Sequence, residues 1–256
     1  MTTLSTPRIV LITGASRGLG RSAALHCARS GMDVIVTYRS QAAQAQSVVD
    51  AITDLGRRAV ALPLDVMDSA SFPAFAEQVR ATLRTHWQVE HLDALVNNAG
   101  EGQQSGVMET SAAQMDAMYT MHFKAPWLLA QALQQLLRDG GRILNVSSGL
   151  TRFAFPGYAA YATMKGAVEV LSRYMAKELG PRGIAVNVVA PGAIETDFGG
   201  GAVRDNAQLN GWIADQTALG RVGQPDDIGA VVASLLQPGV GWINAQRIEA
   251  SGGMLL

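Results

Sequence analysis

The chain has 256 residues, of which 48% are hydrophobic and 16% are charged, and its formal net charge is −1. This length predicts one large domain or two small ones. A near-zero charge with scattered basic residues excludes the usual surface of a protein that binds nucleic acid or an anionic membrane. The initial segment MTTLSTPRIV lacks the layout of a signal peptide, and no apolar run reaches the length of a membrane span. We therefore expect a globular cytoplasmic protein.

The metal-binding and redox side chains are few and dispersed. Cys27 is the single cysteine and lies in an apolar helical stretch, so we expect a buried thiol in a reducing compartment. His26, His86, His91 and His122 stand apart from one another and form no ligand spacing with acidic residues. We therefore predict no metal site.

Short runs typical of strands alternate with helical stretches along the whole chain. In chain order they are strand Arg8–Thr13, a helix through Ser30, strand Asp33–Tyr38, helix Gln41–Leu55, strand Ala59–Leu64, helix Ser69–Arg84, strand Leu92–Val96, the helical region Ser111–Leu137 with a break near Pro126, strand Arg142–Val146, helix Tyr158–Leu179, strand Ile184–Val189, helix Pro225–Leu236 and strand Gln246–Glu249.

The strand runs are apolar throughout, which predicts strands buried on both faces. Repeated strand–helix units of this kind predict an α/β fold: a doubly wound parallel sheet of about seven strands with helices on both faces. The glycine-dense stretch Phe198–Asn210 lies between a strand and a helix, and it predicts a mobile segment over a site. No linker or repeat divides the chain, so we expect one domain.

Residues 13–20, TGASRGLG, connect the first strand to the first helix. Glycines permit a tight turn there and let the backbone approach a diphosphate, which the N–H groups and positive end of the helix can bind. Such turns also serve merely to pack a helix on a strand, but the position after the first buried strand favours phosphate binding. The spacing is TGxxxGxG and differs from GxGxxG.

The TGASRGLG segment resembles the cofactor signature of the classical short-chain dehydrogenase/reductase family, and further matches follow in the order of that family. They are NNAG at 97–100, Ser148, Tyr161 and Lys165 in the spacing YxxxK, and Pro191-Gly192 with Thr196 beyond it. Each motif alone is weak, but the ordered set spans almost the whole chain. The nearest general resemblance is to 3-oxoacyl-acyl-carrier-protein reductases and broad-specificity ketoreductases.

The resemblance implies a single Rossmann domain over residues 1–256 that transfers a hydride between a nicotinamide cofactor and a carbonyl or alcohol carbon. Its dinucleotide-binding half would be about 8–100, and its catalytic and substrate half about 101–256 with a lid at about 193–215. The implied cofactor-binding residues are Gly14, Ser16, Arg17, Gly18, Leu19, Arg39, Asp65, Val66, Asn98, Tyr161, Lys165, Ile194 and Thr196.

The end of the second strand indicates which cofactor is used. A carboxylate there would bind the adenosine ribose and repel a 2′-phosphate. This chain has Tyr38 where relatives that prefer NAD carry Asp, followed by Arg39, and Arg17 lies in the glycine loop. Two guanidinium groups without an acid form a bidentate site for a phosphate dianion, so we predict NADP(H). The alternative is that both arginines are merely solvated surface residues.

Tyr161, Lys165 and Ser148 are the predicted catalytic residues. An ordinary tyrosine has a pKa of about 10, and a nearby ammonium group lowers it toward neutrality. Tyr161 and Lys165 are four residues apart and share one helix face, which brings the two groups together. By resemblance Tyr161 is the acid/base and Lys165 also binds the nicotinamide ribose. Ser148 would hold the substrate oxygen and stabilise its developing charge.

His122 departs from the family pattern, which has Asn at the corresponding position. That Asn is thought to support a helix kink whose carbonyl holds a relay water for the lysine. We favour the interpretation that His122 keeps the kink and water, since a backbone carbonyl does not depend on the side chain. The alternatives are that His122 titrates within the relay or that it marks a weakened enzyme.

The substrate and the assembly are less defined by the sequence. Gly149, Leu150, Phe153 and the segment Pro191–Asn210 are expected to line the pocket, with further aromatic side chains that could equally serve subunit packing. No basic patch for a carrier protein is evident. The apolar carboxyl terminus implies, by resemblance, a homotetramer. A regulatory or scaffold protein that binds NADP(H) with little turnover is the alternative function.

Overall fold

The computed structural model describes residues 8–256, which form a seven-stranded parallel sheet in the order β3-β2-β1-β4-β5-β6-β7. The strands are β1 Ile9–Ile12, β2 Asp33–Tyr38, β3 Ala59–Pro63, β4 Leu92–Asn97, β5 Leu137–Val146, β6 Ala185–Pro191 and β7 Arg247–Ala250. The α-helices of this range are α1 Gly18–Arg29, α2 Ala42–Asp54, α3 Phe72–Thr82, α4 Ala112–Tyr119, α5 Ala125–Leu133, α6 Ala159–Leu179, α7 Ala202–Asp205, α8 Ala207–Asp215 and α9 Pro225–Leu235. Most of the segment considered as a signal peptide lies outside the described residues.

The sheet is covered on both faces, because successive side chains of each strand point to opposite sides. Ile9 and Leu11 enter a core formed with α3, α5 and α6, whereas Val10 and Ile12 enter a second core formed with α1, α2 and α9. Cys27 is fully buried in the second core, as expected. The predicted doubly wound, single-domain α/β fold is therefore confirmed.

The helical region Ser111–Leu137 differs from its prediction. The irregularity is a π turn at Thr120–Lys124, one turn before the predicted break, and Pro126 lies in the first turn of α5. Proline has no N–H to donate to the carbonyl four residues earlier, which is that of His122. The distortion therefore falls on the preceding turn, and the helix axis continues through Pro126.

Two other segments are more structured than expected. β5 begins at Leu137, which pairs with Leu92 before an exposed bulge, and regular pairing resumes at Arg142. The glycine-dense stretch contains a 3₁₀ turn at Phe198–Gly201 followed by α7 and α8. Most of this stretch is therefore helical, whereas a mobile segment was expected.

The strand order places the carboxyl ends of β1, β4, β5 and β6 along one edge of the sheet. The chain crosses from β3 back to β4 on the other side of β1, so a crevice opens between the loops that follow β1 and β4. Ligands of open α/β sheets bind at such a switch point. None of the helices within residues 8–256 is long and apolar enough to span a membrane.

Candidate active site

A cleft of about 720 Å³ opens at the carboxyl ends of the strands. Every cofactor and catalytic residue implied by the sequence lines it. These are Gly14, Ser16, Arg17, Gly18, Leu19, Arg39, Asp65, Val66, Asn98, Ser148, Tyr161, Lys165, Ile194 and Thr196. The fold thus assembles, around one space, residues that are distributed over most of the sequence. Within the described part of the chain, no group of three or more His, Cys, Asp or Glu side chains is placed to bind a metal ion.

The glycine loop brings its backbone against the NNAG segment. Gly14 has φ of 63° and Gly18 has φ of 55°, conformations that other residues rarely adopt. A Cβ on Gly14 would lie 2.9 Å from Ala99 Cα. The Asn98 and Ala99 amides each donate to Thr13 Oγ1 at 2.9 Å. The loop is therefore fixed by close backbone packing that a side chain would disrupt.

The amino terminus of α1 points into this end of the cleft. α1 begins without a side-chain cap and without an acidic residue in its first turn. Its first N–H groups and positive dipole end are thus suited to an anion. This surface fits the diphosphate of a dinucleotide, because the groups that would bind it are backbone amides that need no rearrangement.

The end of β2 has the side chains expected from the sequence, and an acidic residue, Asp197, lies nearby. Tyr38 and the exposed Arg39 line the cleft, and so does Arg17. The Arg17 guanidinium lies 3.4 Å from the Asp197 carboxylate, an acidic partner that the sequence did not indicate. Both side chains of this pair are about half exposed, so the interaction is weak and a phosphate dianion could replace it.

Tyr161 and Lys165 lie one turn apart on α6 and are almost fully buried, with 6% and 5% of their surface exposed. Lys165 Nζ donates to the Val146 carbonyl at 2.6 Å and lies 5.6 Å from the centre of the Tyr161 ring. Ser148 follows β5 in extended conformation, and its Oγ accepts from the Leu150 amide at 3.2 Å. The lysine is thus tied to β5, next to the strand end that presents the serine.

The pKa values correct one expectation. Burial raises the pKa of the Tyr161 phenol above its ordinary value, and the Ser148 hydroxyl opposes this shift without cancelling it. Burial also lowers the pKa of Lys165 to about 7. The ammonium group therefore does not lower the phenol pKa in this structure, because desolvation of both groups is the larger effect. At neutral pH the phenol is protonated and the lysine lies near its titration midpoint.

His122 lies in the π turn beside Tyr161, with its ring centre 4.9 Å from that of Tyr161 in an edge-on arrangement. Its Nε2 donates to the Glu101 carbonyl at 2.8 Å, so Nδ1 is an acceptor, and it has no hydrogen-bond partner among residues 8–256. Burial, with a smaller contribution from Lys165, lowers the pKa of His122 to about 3. A ring that is neutral at ordinary pH disfavours the interpretation in which His122 titrates in the relay. The helix irregularity is present, as the favoured interpretation requires.

Glu169 is a residue that the sequence argument missed. Its Oε1 accepts from Ser147 Oγ at 2.6 Å, from Thr151 Oγ1 at 2.8 Å and from Arg247 Nε at 2.9 Å. Arg247 also donates to the Ser148 carbonyl at 3.2 Å. The only signal in the sequence is that Glu169 follows Lys165 by four residues, since its partners lie on other elements of the fold.

Aromatic side chains surround the other end of the cleft. The Phe198 ring centre lies 5.5 Å from that of Tyr161, and Phe155 lies 6.2 Å from Tyr158 and 5.7 Å from Trp212. Phe198, Phe155 and Tyr158 line the cavity itself. The cleft therefore has a backbone-lined end at the glycine loop and an aromatic end around the Tyr161 phenol.

Comparison with known proteins identifies relatives over nearly the full chain. A family profile described as enoyl-(acyl carrier protein) reductase matches residues 14–255. An uncharacterized oxidoreductase of Methylorubrum extorquens is 36% identical over 96% of this chain and 97% of its own length. A hydroxynaphthalene reductase-like protein of Metarhizium brunneum is 35% identical over 96% of this chain and 94% of its own.

Solved structures show the same relationship. The reductase LugOII, described as promiscuous and as catalysing keto-reduction at C1 in lugdunomycin biosynthesis, superposes with a TM-score of 0.92 at 39% identity and covers 98% of both chains. The angucycline C-6 ketoreductase LanV, crystallised with bound NADP, gives 0.91 at 35% identity and covers 97% of this chain and 95% of its own. The chain belongs to the short-chain dehydrogenase/reductase family.

Proposed function

We propose that this protein is an NADP(H)-dependent ketoreductase in which Tyr161 is the acid/base. The observation that carries the proposal is the buried Tyr161–Lys165 pair on one turn of α6, directly beside a cleft whose other end is a glycine-lined anion cradle. The resemblance to LugOII and LanV, both described by ketone reduction, supports the same chemistry.

The assignment of the cofactor rests on the glycine loop and the end of β2. Backbone amides near Gly14 and Gly18 would bind the diphosphate, and Arg39 would bind the 2′-phosphate together with Arg17 once that side chain leaves Asp197. NADP is also the molecule bound in the LanV structure. The remaining residues assigned to the cofactor are Ser16, Leu19, Asp65, Val66, Asn98, Tyr161, Lys165, Ile194 and Thr196.

NADPH supplies the hydride when it is bound. The protein's task is then to give a proton to the oxygen of the carbonyl as negative charge develops there. Burial raises the pKa of Tyr161, so at neutral pH the phenol carries the proton that reduction of a ketone consumes. Ser148 would hold the same oxygen, and Lys165 would orient the nicotinamide ribose.

Lys165 and His122 define the route by which Tyr161 regains its proton. With a pKa of about 7, Lys165 can release and recover a proton near neutrality. The neutral His122 ring holds the Glu101 carbonyl and lies in the π turn where Pro126 withholds its N–H. In this assignment His122 is a positioning residue, and its carbonyl rather than its ring serves the relay.

The proposal also includes a lid over the cleft, a homotetrameric assembly and a cytoplasmic location. Residues 193–215 would cover the cleft of a domain whose cofactor half is about 8–100 and whose catalytic half is about 101–256. Exposed apolar side chains on α4, α5 and α6 and at the carboxyl terminus favour a homotetramer; they are Tyr119, Trp127, Val170, Tyr174 and Leu256. A single cysteine, which can form no internal disulfide, suits the reducing cytoplasm. Burial raises the pKa of the Cys27 thiol to about 12, which makes this thiol unreactive.

Loss of NADPH absorbance with a panel of ketones, aldehydes and 3-oxoacyl thioesters tests the function. We expect turnover of at least one ketone by the native chain and none by Tyr161→Phe. Tight NADPH binding without turnover of any compound would instead favour the regulatory or scaffold alternative, which the ordered catalytic set and the ketoreductase relatives disfavour.

A further inference from the structure

Phe198 lies between the catalytic tyrosine and the loop that follows the NNAG segment. Its ring is tilted by 58° against Tyr161 at 5.5 Å. On its other side is Gly102, where a Cβ would lie 2.7 Å from Phe198 Cε1. The glycine therefore makes room for this ring, yet 39% of the Phe198 surface remains exposed. The exposed part borders the cleft, which Phe198 lines.

A second aromatic group completes the wall. Phe155 contacts Tyr158 and Trp212, with ring centres 6.2 Å and 5.7 Å away, and Phe153 packs against Gly149 at the base. Three of the chain's six phenylalanines thus line this cavity. Exposed aromatic surface that borders a cavity is typical of a binding site for an apolar ligand.

The charges around the substrate end of the cleft favour an uncharged substrate. The cations that line it are Arg17 and Arg39, at the cofactor end, and the buried Lys165. Two further arginines near the substrate end already have acidic partners. Arg152 pairs with Glu249 at 2.9 Å, and Arg204 pairs with Asp205 at 2.7 Å as well as with Asp197. A substrate carboxylate or phosphate would therefore have to displace one of these acidic partners, whereas an uncharged substrate would not.

We propose that the substrate is an uncharged ketone fused to a planar aromatic ring system, and that Phe198 selects it. Offset or edge-to-face packing against Phe198, Phe155 and Tyr158 would hold the flat rings, with the carbonyl oxygen directed to Tyr161 and Ser148. This inference rests on the proposed function, because the ketone is oriented by the catalytic phenol.

The bicyclic ketones β-tetralone and β-decalone test the proposal, since they share a skeleton and a carbonyl position and differ in one aromatic ring. With NADPH, we expect kcat/KM for β-tetralone to exceed that for β-decalone by at least about tenfold. Phe198→Leu, which keeps apolar volume without the ring, should reduce this ratio toward one, and Phe198→Tyr should preserve it. Trp242→Leu removes a fully exposed aromatic elsewhere and should leave the ratio unchanged.

Equal kcat/KM values for the two ketones, or a ratio unaffected by Phe198→Leu, would overturn the aromatic selection and leave the proposed function intact. Reduction of simple ketones without reduction of β-tetralone or β-decalone would likewise overturn the aromatic selection and leave the proposed function intact. If NADPH binds but no carbonyl compound of any kind is reduced, the proposed function itself fails.

Glu169 carries a second, independent inference. One carboxylate oxygen accepts hydrogen bonds from the residue before Ser148, from the turn after it and from Arg247 of β7, which also donates to the Ser148 carbonyl. Glu169 is on α6, the helix of Tyr161 and Lys165. We infer that Glu169 is a positioning residue that fixes the distance between Ser148 and the catalytic tyrosine.

A double-mutant cycle tests this role. Glu169→Gln should lower kcat by about tenfold with little change in NADPH affinity, and it should have almost no further effect in a Ser148→Ala background. Glu178→Gln, on the same helix but exposed, is the matched control. An equal loss in both backgrounds, or a loss of NADPH affinity instead, would show a merely structural role and overturn the inference.

Discussion

The two ends of the cleft are built from different parts of the chain. The cofactor end is mainly backbone: glycines with positive φ, the first amides of α1 and the Thr13 hydroxyl that joins two loops. The substrate end is made of side chains, and its phenylalanines are Phe153, Phe155 and Phe198. A backbone surface tolerates few substitutions, whereas a side-chain surface can change its specificity without changing the fold. Variants at each end should therefore affect different constants.

Tyr161→Phe should have the largest effect, because it removes the proton donor and keeps the ring that packs against His122 and Phe198. We expect kcat to fall by about 10²–10⁴-fold, the usual value of a positioned acid. NADPH affinity should fall far less. Steady-state kinetics and titration of NADPH fluorescence measure the two constants. If NADPH affinity and kcat fell by the same factor, the separation of cofactor binding and proton donation between the two ends of the cleft would be contradicted.

At the cofactor end, Gly14→Ala should weaken NADPH binding by at least about tenfold, since its Cβ would meet Ala99. Gly31→Ala is the matched control: Gly31 also has positive φ, 87°, but nothing lies within 4 Å of its added Cβ. The left-handed conformation should cost each variant about 1 kcal/mol of unfolding free energy, and Gly14→Ala should lose more because its Cβ meets the backbone of Ala99. Calorimetric titration with NADPH distinguishes the two variants. Equal NADPH affinities would contradict the claim that the glycine loop binds the cofactor through its close packing on Ala99.

The difference between the two ends also explains what the sequence could predict. Asp33–Tyr38 was predicted with its observed bounds, because it contains the apolar run Val34–Val36 that is typical of a buried parallel strand. The glycine loop and the Tyr161–Lys165 pair were located by their resemblance to the motifs of the short-chain dehydrogenase/reductase family, and the four-residue spacing on a helix accounts for the closeness of the pair. All the implied site residues line one cleft, but their roles remain predictions.

Features that depend on distant contacts were missed. A break was predicted near Pro126, whereas the structure has a π turn at Thr120–Lys124, because proline withholds its N–H from the turn before it. The acid that meets Arg17 and the carboxylate that organises the Ser148 turn have partners far along the chain. The pKa of Tyr161 was expected to be lowered and is raised, and the lowered pKa of Lys165 was not predicted, since burial cannot be inferred from a four-residue spacing.

Arg39→Ala tests the proposed binding site for the 2′-phosphate of NADPH at the end of β2. Loss of one charged hydrogen-bonding group to a phosphate should reduce kcat/KM for NADPH by about tenfold and leave that for NADH nearly unchanged. Arg29→Ala, an exposed arginine in the last turn of α1, should alter neither value. An Arg39→Ala enzyme that retained its preference for NADPH would contradict the assignment of the 2′-phosphate site.

The smallest effect is expected for His122→Asn, and it should be seen in how the free energy of unfolding depends on pH. The pKa of His122 is about 3 in the folded chain and near 6.5 when the ring is solvated, so protons bind preferentially to the unfolded chain in this interval. The His122 contribution to unfolding free energy is therefore constant above pH 6.5 and falls as the pH is lowered toward 3. Between pH 7.5 and 5.5 the native chain should lose about 1 kcal/mol more than the Asn variant in urea denaturation. Activity at pH 7.5 should change modestly. Identical pH dependence of the two chains would contradict the buried neutral ring.

The central claim is that the cleft joins a nicotinamide at its glycine end to a ketone at its aromatic end. The most direct measurement uses NADPH that carries deuterium at the transferable position of the nicotinamide, with β-tetralone as the ketone and mass spectrometry of the product. The account predicts one deuterium on the carbinol carbon of the alcohol and none with Tyr161→Phe, which should form almost no product. An alcohol that lacks the label, or labelled alcohol formed at the native rate by the Phe variant, would contradict it.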